Sequence, residues 1–147
     1  MTTKAKRDFV KKMHSANAEG FVCKNRNSAY AGGRAGQHFK CKFVVTASFI
    51  VGPKPEKKAN DGHRSIAVYL LEDMRQRFMG TVGVPDRYRL PKEGEIVEVQ
   101  YLYCHPGPDG KLIQAKYFGK VRDDIRLSEC SVSQLKVKAD YNEPTAA

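Results

Sequence analysis

Nowhere does this sequence hold an apolar run approaching the roughly 18 residues that a membrane span requires, and its opening MTTKAKRDF is not followed by the apolar segment of a secretory signal. These absences predict a soluble, intracellular, cytoplasmic protein with no membrane partner. The four cysteines, Cys23, Cys41, Cys104 and Cys130, form no C-x-x-C pair, which argues against a zinc ribbon or a dithiol redox motif. Reduced, mostly buried thiols are expected. Cys104 stands beside His105, but no second pair of metal ligands accompanies them. There is no internal repeat and no low-complexity tract. Acidic residues are scarce at one end only: residues 1–62 carry 13 Lys/Arg against 4 Asp/Glu, whereas residues 63–147 carry 13 against 12. The net charge of +10 is therefore concentrated in the first segment. Nucleic acid is the natural partner for such a field, because neutralising phosphates releases condensed counterions.

What is present fits one ordinary domain, or a fragment of one plus a small complete one: 147 residues, 41% hydrophobic and 29% charged. Between Lys4 and Ala16 the apolar residues Ala5, Phe9, Val10 and Met13 recur at helical spacing, predicting a basic amphipathic helix that stops at Asn17. Glu19–Lys24 is a short β-prone run, a glycine-bearing loop follows, and His38–Val51 reads as one or two strands. The stretch from Pro53 to Gly62 has prolines and charge without apolar periodicity, as a linker or long exposed hairpin loop would.

Beyond it, strands are predicted at Arg64–Leu71, Arg77–Val84, Glu95–Cys104 and Lys111–Val121. In the third, Val97, Val99, Tyr101 and Tyr103 alternate with Glu98, Gln100 and Leu102. His105–Gly110 is a hairpin signal, and a short helix is expected near Ser128–Leu135. Four or five short strands in so little chain fit a small OB-type barrel better than a sandwich. The fold class is thus mainly β with short helices, a partial sheet followed by an OB-fold-like small barrel.

Two lysine-bearing patterns stand in the first segment. In a strand, Lys40 and Lys42 point to one face and can meet one phosphate, and a carboxylate such as Glu19 near a strand end can hold a divalent cation against it. Taken singly, each pattern is more often a solvated face. Arg75, Arg77, Arg87 and Arg89 lie among Glu72, Asp73 and Asp86, as on an ordinary mixed surface, and Tyr101, Tyr103, Tyr117 and Phe118 read equally as stacking platforms or as core.

Their combination and order resemble a family. EGFVCK resembles the fourth nucleotidyltransferase motif of ATP-dependent DNA ligases, FKCKF the fifth, and SAYAGGRAGQ the glycine- and arginine-bearing loop between them. EGEIVEVQYLYCHPGPDGKLIQAKYFGKVRDD resembles the ligase OB domain running into its last motif. The resemblance, from about Phe9 to about Leu135, is to the C-terminal part of a ligase. It implies a nucleotidyltransferase remnant at 1–52, a linker or exposed loop at 53–62, an OB-fold domain at 63–138 and a flexible tail at 139–147. It implies metal binding at Glu19 and nucleotide-phosphate contacts at Lys24, Lys40, Lys42 and Arg122. It also implies nucleic-acid contacts at Arg26, Arg34, Lys40 and Lys42.

Two departures bear on activity. Asp123-Asp124 is followed by Ile125, where family members place a lysine, and the Lys-x-Asp-Gly element holding the ligase nucleophile does not occur in these residues, nor does the aromatic segment that stacks on adenine. Phosphoramidate formation needs an amine in line with the α-phosphorus, which phosphate contacts cannot replace. The expectation is a truncated, DNA-binding ligase fragment in the repair and replication family, gripping duplex or nicked DNA and inactive alone. Mg2+ and ATP would be cofactors only if a missing half complemented it, with none for the isolated chain. The alternatives are half of a split ligase completing its site in trans with a second polypeptide, self-association through the first segment, and an OB-fold scaffold for another protein.

Overall fold

The computed structural model describes residues 2–27, 38–55, 64–107 and 109–138. The chain is mainly β, and its described residues divide into two compact units, one up to residue 43 and the other from residue 44 to 138. No helix among the described residues is long and apolar enough to cross a membrane.

The first unit contains one helix, α1 (Thr3–Ser15), and a two-stranded antiparallel ribbon, β1 (Gly20–Lys24) with β2 (His38–Lys42). Thr2 caps α1 by accepting a hydrogen bond from the Ala5 N–H, and Asn17, at φ 57°, turns the chain out of the helix, where the sequence places the stop. Phe9 on the helix meets Phe21 on β1 edge-on at 5.9 Å, Phe21 meets Phe43 at 5.9 Å, and Phe43 meets His14 at 5.0 Å. These rings form an aromatic cluster, yet no residue of α1 is buried.

The second unit is a five-stranded antiparallel sheet with strand order β5-β4-β3-β6-β9, made from β3 (Val45–Gly52), β4 (Ser65–Glu72), β5 (Arg75–Gly83), β6 (Ile96–Tyr101) and β9 (Lys116–Arg122). A small side pair, β7 (Tyr103–Cys104) with β8 (Leu112–Ile113), lies between β6 and β9 in the chain. With β5 also approaching β9, the first strand pairs with the second and fourth and the ends close on each other, which is the OB topology. Curvature comes from bulges. Val68 pairs with Gly80 but Tyr69 with Phe78, so Met79 is the extra residue and its side chain is fully buried in the core. A second irregularity sets Val97 against Val121 and Val99 against Tyr117. At its centre Gly119, φ +84°, lies beneath the Tyr88 ring, and a Cβ there would come within 2.3 Å of that ring. Phe49, Val68, Leu70, Val97, Val99 and Tyr101 fill the interior.

Three expectations are corrected. Val45–Gly52 belongs to the barrel, pairing with β6 from Val45 to Ile50 and with β4 from Ile50 to Gly52, so the boundary falls at residues 43/44 and not after 52. Residues 53–64 therefore join neighbouring strands of one sheet; residues 56–63 and the tail 139–147 lie outside the described residues. The strand Glu95–Cys104 breaks at Leu102, which shifts the alternation by one: Leu102 is buried and Tyr103 half-buried. The expected helix at Ser128–Leu135 is two 3-10 turns, Leu127–Glu129 and Val132–Gln134.

Those turns carry the chain back over an open edge of the sheet. Beyond the short β3–β4 pairing, Ser48 donates its N–H to Gln134 Oε1 at 3.0 Å, and Gln134 Nε2 donates to the Ser48 and Glu129 carbonyls at 3.2 Å each. A side-chain amide thus does what a paired strand would do. Replacing Gln134 by Ala leaves buried peptide groups of β3 unpaired, so stability should fall by about 1–3 kcal/mol. Urea unfolding checks this: the midpoint should drop with an unchanged slope, and an unchanged midpoint would remove Gln134 from the account.

Candidate functional site

In the ribbon, Gly20 pairs with Lys42, Val22 with Lys40, and Lys24 with His38. Cross-strand partners share a face, so Lys24, Lys40 and Lys42 stand together on one side with His38. All four are exposed. Gly20 allows the close approach: a Cβ there would lie 2.1 Å from the Cys41 carbonyl oxygen. Neither GFVCK nor HFKCK contains an acidic residue, so the lysines share their face with Gly20, Val22 and His38 and with no carboxylate of these two strands. Lys24, Lys40 and Lys42, which the sequence reading separated into two patterns, are one cluster. His38 was missed, although the alternation His38, Lys40, Lys42 carries it.

Arg26 lies in the turn that follows β1, and Arg34 with the loop of residues 28–37 lies outside the described residues. Glu19 is exposed immediately before β1, its carbonyl accepting from the Phe43 N–H at 2.9 Å. No group of three or more His, Cys, Asp or Glu that would hold a metal occurs among the described residues. Glu19 offers a metal one carboxylate, and the ligands of a divalent cation are not otherwise assembled.

The opposite face of the ribbon carries Phe21 paired with Cys41 and Cys23 paired with Phe39. Cys23 and Cys41 are exposed, contrary to the expectation of mostly buried thiols, whereas Cys104 and Cys130 are buried in the barrel. The Cys41 thiol is raised above its ordinary value by desolvation, then by the charge of Cys23 and a hydrogen bond with it.

Arg122 lies on β9 in the second unit. Its guanidinium clasps Asp124 through two hydrogen bonds of 2.7 Å and reaches Glu98 at 3.0 Å, and Lys120 meets the same Glu98 oxygen at 3.0 Å. The resemblance implies a phosphate contact for Arg122; here its Nε and both terminal nitrogens donate to the carboxylates of Asp124 and Glu98. A similar clasp joins Arg89 to Glu95 at 2.7 and 2.8 Å, with the Lys92 N–H adding a bond of 2.8 Å. Of the ambiguous aromatics, Tyr101 and Tyr117 are core, and Phe118 is half exposed.

The barrel defines an OB-fold protein, and comparison with known proteins places that fold more narrowly. No family model and no curated protein matches the chain. Solved structures do. Pmar-Lig_PreS3 aligns with a TM-score of 0.63 at 18% identity, covering 82% of this chain and 32% of that one. Pmar-Lig_Pre. aligns at 0.62 and 18%, covering 83% and 32%. The structure described as "DNA binding with a minimal scaffold: Structure-function analysis of Lig E DNA ligases" aligns at 0.57 and 21%, covering 82% and 47%. Over four fifths of its length the chain has the fold found in these DNA ligase structures, and it spans about a third to a half of their length.

The two clasps set an acid limit on stability. Hydrogen bonds from Arg89 and the Lys92 N–H lower Glu95 from 4.5 to about 2, and those from Arg122 lower Asp124 from 3.8 to about 2. Groups whose folded values are depressed contribute fully above the unfolded values and lose that contribution as pH falls through the folded ones. The urea midpoint should therefore hold above about pH 4.5 and decline toward about pH 2, with part of the decline removed in Arg89→Ala. A midpoint with the same acid decline in that variant would show that the clasp contributes nothing.

Proposed function

We propose that this chain acts as the DNA-gripping, C-terminal portion of a ligase architecture and does not by itself form an enzyme adenylate. The observation that carries this reading is the single face holding Lys24, Lys40 and Lys42, on a ribbon preceding an OB barrel, in a chain with a ligase fold. Phosphate oxygens are the ligands such a face suits, and the DNA backbone and a nucleotide both supply them. The residues here include no Lys-x-Asp-Gly nucleophile, so ATP and magnesium would serve only with complementing residues. Domain assignments follow the same reading: a nucleotidyltransferase remnant ending at residue 43 and the OB domain from residue 44.

One observation favours completion by further residues, in the same or a second polypeptide. The first unit leaves Phe9, Val22 and Phe39 exposed and offers a bare two-stranded ribbon, too little for independent stability.

Binding of nicked and intact duplexes at two salt concentrations tests the DNA reading. Affinity should show little sequence preference and fall with a logarithmic slope of roughly −0.9 per phosphate, so about four to six contacts would cost about two to three orders of magnitude between 50 and 200 mM salt. Lys40→Ala with Lys42→Ala should weaken binding more than Lys136→Ala with Lys138→Ala. Salt-independent binding, or none at the lower salt, would favour the protein-partner scaffold instead.

Incubation with ATP and magnesium should leave the chain without a covalent AMP. A stable AMP adduct mapped to one of its lysines would overturn the inactive reading.

A further inference from the structure

We propose that Cys23 and Cys41 constitute a reversible disulfide site on the ribbon, taking low-molecular-weight disulfides as its oxidant. The two residues are diagonal neighbours on one face, since Cys23 pairs with Phe39 and Cys41 with Phe21 in the same register. Both are exposed, and Cys23 is among the causes that raise the Cys41 thiol, in keeping with their diagonal placement. The other two cysteines are sealed in the barrel at 1% and 0% exposure, so solution chemistry is confined to this pair.

Diagonal neighbours on a ribbon stand about 7–8 Å apart, so joining the sulfurs at about 2.05 Å requires the strands to draw together, which leaves the bond strained and easily reduced. A two-stranded ribbon is the element best able to contract. Nothing in the register need change: the bond ties β1 to β2 on the face away from Lys24, Lys40 and Lys42, closing the loop from 23 to 41 while leaving the lysines accessible.

The exchange balances without any metal or protein partner. Cys23, as thiolate, attacks one sulfur of a disulfide RSSR, forming a mixed disulfide and releasing one RS−. Cys41 then loses its proton and reacts second. Its thiolate attacks the Cys23 sulfur and expels the second RS−. The two thiol protons leave with two RSH, the protein pair is oxidised by two electrons, and RSSR is reduced by two.

The test reads thiols and not DNA, so it stands apart from the binding reading. The full chain is treated with oxidised glutathione at neutral pH, alkylated, and mapped without reduction. One peptide pair linking residue 23 to residue 41, lighter by two hydrogens and restored by dithiothreitol, is expected, with its preference lost when the same oxidation is done in urea. Cys23→Ser and Cys41→Ser should each lose the link and carry glutathione on the remaining thiol, while Cys104 and Cys130 stay protected from alkylation, reporting an intact barrel. Glutathione on both cysteines of one molecule, both thiols still free after treatment, or a link between two chains would overturn the proposal.

Discussion

The barrel depends on β3 serving two neighbours at different heights. Its residues Val45–Ile50 pair with β6, while only Ile50–Gly52 pair with β4, because the curved sheet carries β4 away. The divergence leaves buried peptide groups with no strand beside them, and such groups must be satisfied. The segment after β9 answers that need in pieces: Gln134 at Ser48, a parallel bridge from Ser131 to Leu71, and another from Val137 to Cys104. The Lys136 N–H donates to the Tyr101 hydroxyl at 2.9 Å, fixing a fully buried ring. An OB barrel here is therefore five strands and a strap, and the strap is part of its closure.

The two units use charge differently. On the barrel, Arg77, Arg89 and Arg122 each meet a carboxylate, with Glu72, Glu95 and Asp124 as partners. Arg77 also donates to the Gly107 carbonyl at 2.6 Å, tying the turn after β7 to β5. Such arginines hold loops in place through their terminal nitrogens. The ribbon strands, with no acidic residue, concentrate cations on one face instead. Net charge located the basic field, and the ribbon register gathers Lys24, Lys40 and Lys42 on one face of it.

The periodic features were legible from sequence. Alternation set Val97, Val99 and Tyr101 on one face of a strand and put Lys40 beside Lys42, and helical spacing with Asn17 as its stop bounded α1. What sequence missed depended on long-range pairing. The prolines and charges after residue 52 suit a linker and a hairpin connection alike, and only the pairing of β3 with β4 shows that they join strands of one sheet. Leu102 interrupts a strand that alternation would continue, because the chain turns there into the side pair. The Cys23–Cys41 contact is invisible along the chain; it exists only once the register of β1 on β2 is known.

That register also links order to binding. An isolated two-stranded ribbon is marginally stable, and this one sets Lys24 diagonal to Lys40, with Lys42 two residues further along the same face. Like charges so placed oppose the pairing that brings them together. A phosphate bridging them removes the repulsion, so a ligand for the ordered ribbon also stabilises it, in proportion to RT ln(1 + [L]/Kd). The same coupling works in reverse: whatever secures β1 to β2 spares the ligand the ordering cost and tightens binding by the fraction of ribbon already formed. The aromatic cluster of Phe9, Phe21, Phe43 and His14 supplies part of that security from the face opposite the lysines. Affinity at the proposed phosphate face would thus depend on the packing behind the ribbon as well as on the ammonium groups in front of it.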